Sequence, residues 1–203
     1  MNRLLGRLTL TLTLTLPLLY HCLPAQVIVF ESNGLKYQTL TRSGVTIMYA
    51  HLPQHIHQYS ILQVAVSNGS PGPYVMRPED FSYKRDAGEI RAVPAKAVIE
   101  MLMQKGSSAD VAKLVTAYEN WISGIPNYHG TSGFEQRRQS AIGFGATRLR
   151  SAAAASAIAF VQVKLVPSDS TDGAVFFPTD GKPLAGGKVI VRTNTDLFEF
   201  NAE

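Results

Sequence analysis

The chain has 203 residues, and its 19 Lys and Arg against 15 Asp and Glu give a formal net charge of +4. This small excess, without a long run of basic residues, argues against nucleic acid as the main partner. The single cysteine, Cys22, excludes a framework of disulfides within the chain.

The first 25 residues predict a secretory signal peptide. Arg3 and Arg7 precede an apolar run from Leu8 to Leu19, and Ala25 offers a small residue for cleavage. This order is typical of a signal peptide, whereas a transmembrane helix needs roughly 20 apolar residues. Cleavage after Ala25 leaves a single domain over 26–203, without a transmembrane segment and with its net charge lowered by two.

A lipid anchor at Cys22 is the competing interpretation of this N-terminus. Tyr20 and His21 stand before the cysteine, where lipidation favours small residues, so we do not expect the anchor. Signal cleavage would instead remove the only thiol. A cysteine-free mature chain behind a signal peptide favours a secreted or periplasmic bacterial protein.

The first half of the mature chain predicts short strands separated by turns. Residues 51–58 contain Pro53 and predict a loop, and residues 67–73 are rich in Gly and Pro and predict a turn. The segments with β periodicity are Tyr37–Thr41, Val45–Ala50, Tyr59–Val66, Tyr74–Met76, Phe81–Tyr83 and Ile90–Val93.

The next part, at about 95–156, predicts a helical insert. Ala95–Lys105 has apolar residues at helical spacing and ends before Gly106. Ser107 and Ser108 suit the start of a second helix, and 134–156 predicts a third. The apolar face of the second helix is predicted to contain Val111, Leu114, Val115, Tyr118 and Ile122.

Strands return after the insert. Alternation from Phe160 to Leu165 predicts a strand with Val161, Val163 and Leu165 on its buried face. A polar turn over 167–173 would join it to a paired strand, Ala174–Phe177. Lys188–Arg192 and Leu197–Phe200 predict a final hairpin, with Val189 and Val191 buried. About seven to nine strands at this spacing are typical of a mainly β, antiparallel sandwich.

Several of these features together resemble a known group of domains. Tyr59–Asn68 is a strand that ends in asparagine, a Pro-rich turn follows it, and Pro78-Glu79-Asp80-Phe81 begins another short strand. After the helical insert, Val163–Gly173 includes a Pro-Ser-Asp-Ser turn and a later glycine before an aromatic strand. Over about 35–203 the chain resembles uncharacterised bacterial extracytoplasmic immunoglobulin-like domains. The resemblance implies an immunoglobulin-like fold and secretion, and it implies no catalytic residue.

Three histidines form the first candidate site. His51, His55 and His57 lie within seven residues, and an extended backbone would place His55 and His57 on one face, as two zinc ligands require. No carboxylate or cysteine lies nearby, so we expect solvated histidines and no cofactor. A zinc-binding protein, or an enzyme that uses these histidines, is the alternative.

Four arginines in the third helical segment form the second candidate site, Arg137, Arg138, Arg148 and Arg150. They are interpreted either as a solvated face or as the contact for an anionic partner. Because no nucleophile motif accompanies the histidines, we expect a non-enzymatic structural or interaction module of the cell envelope. Its partner would be an envelope protein or another macromolecule.

Overall fold

The computed structural model describes residues 26–86, 88–130 and 147–202, and the predicted signal peptide lies outside them. The strands are β1 (Ile28–Ser32), β2 (Leu35–Arg42), β3 (Val45–Ile56), β4 (Tyr59–Asn68), β5 (Tyr74–Met76), β6 (Phe81–Arg85), β7 (Gly88–Arg91), β8 (Val163–Leu165), β9 (Ser170–Pro178), β10 (Gly187–Arg192) and β11 (Leu197–Ala202). The helices are α1 (Ala95–Lys105), α2 (Ser108–Ser123) and α3 (Thr147–Ile158), with a 3-10 turn at Pro78–Asp80.

The strands form antiparallel sheets, so the predicted mainly β, antiparallel class is confirmed. One sheet has five strands in the order β1-β2-β3-β4-β9, and the second has four in the order β11-β10-β6-β7. Strands β5 and β8 form a separate pair. The described residues thus contain eleven strands, against the seven to nine predicted.

The two larger sheets share one apolar core, which we call the inter-sheet core. The side chains on one face of β4, Leu62, Val64 and Val66, belong to it. Those of the four-stranded sheet that meet them are Phe81, Tyr83, Val189, Val191, Phe198 and Phe200. This arrangement is consistent with a β-sandwich, and the predicted burial of Val189 and Val191 is confirmed.

The other face of the five-stranded sheet is covered by the helices. This helix–sheet core contains Ile61 and Ala65 of β4, Phe176 of β9 and residues of all three helices. The predicted helices at 95–105 and 108–122 are therefore present and pack on the sheet. No helix in the described part of the chain is long and apolar enough to cross a membrane.

The start of α2 is fixed by a capping box at Ser107, one of the two serines predicted to begin the helix. The Ser107 side chain accepts a hydrogen bond from the Asp110 N–H, and the Asp110 carboxylate accepts one from the Ser107 N–H. The buried line of the helix differs from the prediction, because it runs through Leu114, Ala117 and Trp121. Val111, Val115, Tyr118 and Ile122 flank that line and are partly buried.

Asn68 joins three segments at the end of β4. Its Nδ2 donates to the carbonyl oxygens of Gly72, at 2.8 Å, and Leu165, at 3.0 Å. Its Oδ1 accepts from both the N–H and the hydroxyl of Ser70. Because Asn68 is fully buried, these bonds replace the water that its amide loses on folding.

The predicted pairing of the strands at 160–165 and 174–177 is wrong. β8 pairs with β5, while β9 pairs with β4. Ser170 to Gly173 belong to β9 and not to a turn. The N–H of Phe160 donates to the Ala174 carbonyl oxygen, at 2.9 Å. Phe160 therefore contacts β9 through this bond, but the segment that follows it does not form a hairpin with β9.

The predicted register of Phe160 and Val161 is also wrong. Phe160 is 1% exposed and packs edge-on against Phe81, whereas Val161 is 37% exposed. We therefore expect Phe160→Ala to lower the free energy of unfolding by about 3–5 kcal/mol through the cavity it leaves. Val161→Ala should cost less than about 1 kcal/mol. Urea denaturation of both variants checks this, and equal losses would contradict the register.

Candidate functional site

A bulge in β3 opens a pocket at one end of the five-stranded sheet. Pairing with β4 is regular as far as His51 and resumes at His55, so residues 52–54 lie opposite the single residue Ile61. A bulge accommodates Pro53, which has no N–H to contribute to the ladder. The predicted loop over 51–58 is therefore wrong, because β3 continues through the bulge to Ile56.

The pocket has a volume of about 480 Å³, within the range of small-molecule sites. Its apolar lining consists of Leu35, Leu52, Pro53, Ile61, Pro183 and Leu184. Its polar lining consists of Lys36, His51, Gln54, His55 and Ser60, and Gly34 and Gly181 complete it. Among these thirteen described residues Lys36 is the only lysine or arginine, and none is acidic.

His51 contributes a neutral imidazole to the wall of the pocket. Its ring packs edge-on against Tyr49, with ring centroids 5.3 Å apart. Burial lowers the pKa of His51 to about 4, because the charged ring would lose its hydration. Its Nε2 is buried and has no hydrogen-bond partner among the described residues, and the same is true of Gln54 Oε1.

The opposite wall is the loop after β9, which is bonded to the β3–β4 hairpin. Ser60 Oγ donates to the Lys182 carbonyl oxygen, at 2.7 Å, and lies 2.6 Å from Thr179 Oγ1. The N–H groups of Thr179 and Gly181 donate to the Gln58 carbonyl oxygen. Gly181 has φ of +74° and lies beside the His55 ring. The hydrogen bonds of Ser60 and Gln58 hold the loop after β9 against the β3–β4 hairpin.

His57 does not line this pocket. It lies in the β3–β4 turn with φ of +51°, and its Nε2 is 3.3 Å from Asp110 Oδ2 at the start of α2. Burial alone would raise the pKa of Asp110, but hydrogen bonds from Ser107 and His57 outweigh it and the pKa is lowered. His57 therefore connects the sheet to the helical layer.

The structure brings together two of the three histidines that were candidate zinc ligands, His51 and His55. His51 and His55 line one pocket and pair with residues of β4 on the same face of the sheet. Within the described residues, no group of three or more His, Cys, Asp or Glu could hold a metal ion. The zinc site stays the untested alternative to solvated histidines.

The predicted arginine site falls partly outside the described residues. Arg137 and Arg138 lie outside the described residues. Arg148 and Arg150 lie in the first turns of α3 and are exposed. The prediction that these four residues bind a partner is therefore untested.

Sequence reasoning missed several polar side chains in the helix–sheet core. Gln63 of β4 is fully buried, and neither polar atom of its side chain has a partner among the described residues. Tyr128 lies near the buried Asp172. Burial of the Tyr128 hydroxyl is the larger cause of its raised pKa, and the negative charge of Asp172 is the second cause. The sequence did offer a sign of this buried side chain, because Gln63 is a polar residue within the apolar run of β4.

The outer edge of β1 is a second candidate surface. β1 ends the five-stranded sheet, and Ile28 and Val29 are 62% and 47% exposed. The two-residue turn to β2 has positive φ at Asn33 and Gly34, as in a type I′ hairpin. The alternation of paired groups in such a hairpin directs the N–H of Val29 and Glu31 away from β2.

Comparison of the chain with protein-family models, with curated proteins and with solved structures finds no match. Its function must therefore be argued from the geometry of its sites.

The half-buried His51, with its enclosed Nε2, predicts a specific loss of stability in mild acid. The unfolded state takes up a proton near pH 6.5, whereas the folded state does so only near pH 4. Between these values the unfolded state binds more protons, so stability falls as pH falls, by up to about 3 kcal/mol. Urea denaturation at several pH values between about 4.5 and about 7 measures the effect, because this range covers most of the window.

Replacement of His51 separates its contribution to the pH dependence of stability from the contribution of the carboxylates. His51→Gln should flatten the pH dependence over this window, while His55→Gln, at an exposed position of the same pocket, should leave it as in the wild type. An unchanged slope in His51→Gln would show that the ring is hydrated in solution.

Proposed function

We propose that this chain is a non-enzymatic interaction module of the bacterial cell envelope, built as an immunoglobulin-like β-sandwich. The two antiparallel sheets around one core support the sandwich. Secretion or a periplasmic location is supported by the charged and apolar N-terminus, and sequencing of the mature protein, expected to begin near Gln26, tests it. The partner is an envelope protein or another macromolecule.

The open edge of β1 is the observation that carries this proposal. Natural proteins commonly protect edge strands with lysine, proline or a covering segment. β1 contains neither residue type, and no other strand in the described part of the chain pairs with its outer edge. Its outward N–H and C=O groups can therefore pair with an added strand.

Strand addition would combine backbone hydrogen bonds with side-chain selection. The backbone of β1 supplies the bonds at Val29 and Glu31. Ile28 and Val29 supply apolar contacts on opposite faces of the extended sheet, since consecutive residues of a strand alternate. Phe30 stacks on Tyr37, with ring centroids 4.9 Å apart, so β1 is held on the domain while its edge stays open.

A proline at position 29 tests this mode of binding. Val29→Pro removes an outward N–H while keeping the bonds between β1 and β2, so it should abolish capture of the partner and leave the melting temperature nearly unchanged. The measurement is capture from envelope extracts by the immobilised mature protein. Sedimentation of the purified protein shows whether the partner is a second copy of this chain.

The matched control keeps the backbone donor. Val29→Thr retains the N–H and the β-branched shape, and it should capture the partner as the wild type does. Capture that persists in a folded Val29→Pro protein would rule out strand addition at this edge.

Zinc binding by His51 and His55 is a second candidate function. The shared pocket and the unpartnered Nε2 of His51 favour it. Metal analysis of the purified mature protein should then find about one equivalent of zinc. The combined variant His51→Gln, His55→Gln should lose the metal, whereas His57→Gln should retain it.

A further inference from the structure

The outer face of the four-stranded sheet carries a second, more polar pocket. Tyr83, Val189 and Phe200 point into the inter-sheet core, so the residues that alternate with them along the strands face outward. Those that line the pocket are Lys84, Lys188, Ile190, Glu199 and Asn201. The rim is completed by the end of β6, the turn after it and the start of β10, with Arg85, Asp86, Gly186 and Gly187.

We propose that this pocket binds a phosphorylated sugar. The phosphate monoester lies between Lys84 and Lys188, and the sugar hydroxyls meet the carboxylate of Glu199 and the amide of Asn201. This inference does not depend on strand addition at β1.

The register of β6 and β10 places two ammonium groups side by side. Lys84 and Lys188 lie directly opposite each other, and the Cβ atoms of such a pair are roughly 4.5–5.5 Å apart. Like charges in this position destabilise a sheet, and an anion bound between them removes the repulsion. A phosphate monoester suits the position, because it carries a charge of roughly −1.5 to −2 at pH 7 and three acceptor oxygens.

Neither lysine is neutralised by a carboxylate within the described part of the chain. Lys84 also lies opposite Glu89 of β7, but the Glu89 carboxylate contacts Arg192, with 3.8 Å between Oε1 and Nη1. Lys188 lies opposite the uncharged Asn201 on its other side. Both lysines are exposed, and neither forms an ion pair with another described residue. Two cations are therefore available to one anion.

The rest of the lining favours a hydroxylated body. Ile190 is the one apolar side chain among the nine described lining residues, and it is 5% exposed. Arg85 and Asp86 contact each other, with 3.6 Å between Nε and Oδ2. Glu199 lies opposite Ile190, further along the sheet than the two lysines. Its carboxylate accepts hydrogen bonds, and the amide of Asn201 both donates and accepts them, as recognition of sugar hydroxyls requires.

The size of the pocket fits one phosphorylated monosaccharide. Its volume is about 370 Å³, whereas a cavity of about 150 Å³ holds benzene, so roughly fifteen non-hydrogen atoms can be accommodated. Two glycines keep the rim free of side chains. Gly186 has φ of +68°, and a Cβ on Gly187 would collide with the Lys84 carbonyl oxygen.

A series of sugars and phosphates tests the proposal. We expect calorimetric titration of the mature protein at low ionic strength, where charge contacts are least screened, to show about one equivalent of glucose 6-phosphate bound. Glucose and inorganic phosphate should each bind at least about tenfold more weakly, because each makes only part of the contacts. The methyl diester of glucose 6-phosphate represents the same group within a polymer or a lipid head group. It should also bind about tenfold more weakly, because it carries a single negative charge.

Four variants assign the binding to this pocket. Lys84→Gln and Lys188→Gln should each weaken glucose 6-phosphate binding about tenfold, and Lys188→Gln should not lower the melting temperature, because it removes the like-charged pair. Lys182→Gln removes the same charge from an exposed residue that does not line the pocket, and it should bind as the wild type does. Glu199→Ala should weaken binding of glucose 6-phosphate but not of inorganic phosphate, because it removes an acceptor for the sugar.

Four results would overturn the proposal. They are no saturable binding of glucose 6-phosphate by the wild type, equal binding of glucose, equal binding of the methyl diester, and equal weakening by Lys188→Gln and Lys182→Gln. None of these results bears on capture of a partner by β1, so the two proposals fail separately.

Discussion

The five-stranded sheet buries apolar side chains on both of its faces, and the rest of the domain is arranged to cover them. On β4, Leu62, Val64 and Val66 face the second sheet, while Ile61 and Ala65 face the helices. Each square ångström of apolar surface removed from water contributes roughly 25 cal/mol. A sheet of this kind is stable only between two layers, so the helical insert is part of the domain's core and not an appendage.

Contacts between the insert and the sheet are polar as well as apolar. Tyr37 of β2 donates its hydroxyl to the Trp121 carbonyl oxygen, at 2.8 Å, in the last turns of α2. Gly124 follows, and a Cβ at that position would collide with the Tyr37 hydroxyl. At the other end of α2, His57 meets Asp110. The helix is thus fixed at both ends by specific groups, which sets its position over the apolar face between them.

Local patterns predicted the elements well but not their partners. The hairpin of β2 and β3 follows from alternating residues around Ser43-Gly44, since neighbouring strands meet through a short turn. Phe160 and Val161 were assigned to the wrong faces, because the surroundings of Phe160 come from Phe81, far away in the sequence. Trp121 was left out of the predicted apolar face of α2 for a related reason. Which residues of the helix are most buried depends on the sheet on which it packs, and the sequence of the helix does not show this.

The candidate pocket was even less accessible from sequence. The histidines were visible, but Pro53 predicted a loop where the strand bulges. The opposing wall comes from residues 179–184, more than a hundred positions later. No local pattern states which distant loop will close a pocket, so the histidines alone could suggest a metal but not the apolar lining that now defines the site.

The bonds of Asn68 have a consequence for the order of folding. Its partner Leu165 lies 97 residues away, and β9, which pairs with β4, follows still later. Closing a segment of that length costs conformational entropy before any of these contacts form, and such non-local pairings slow folding. The first four strands can make hairpins as soon as they emerge from the ribosome, but the sheet stays incomplete until β9 is synthesised. One edge of β4 therefore stays unpaired until residues more than a hundred positions later in the chain have been synthesised.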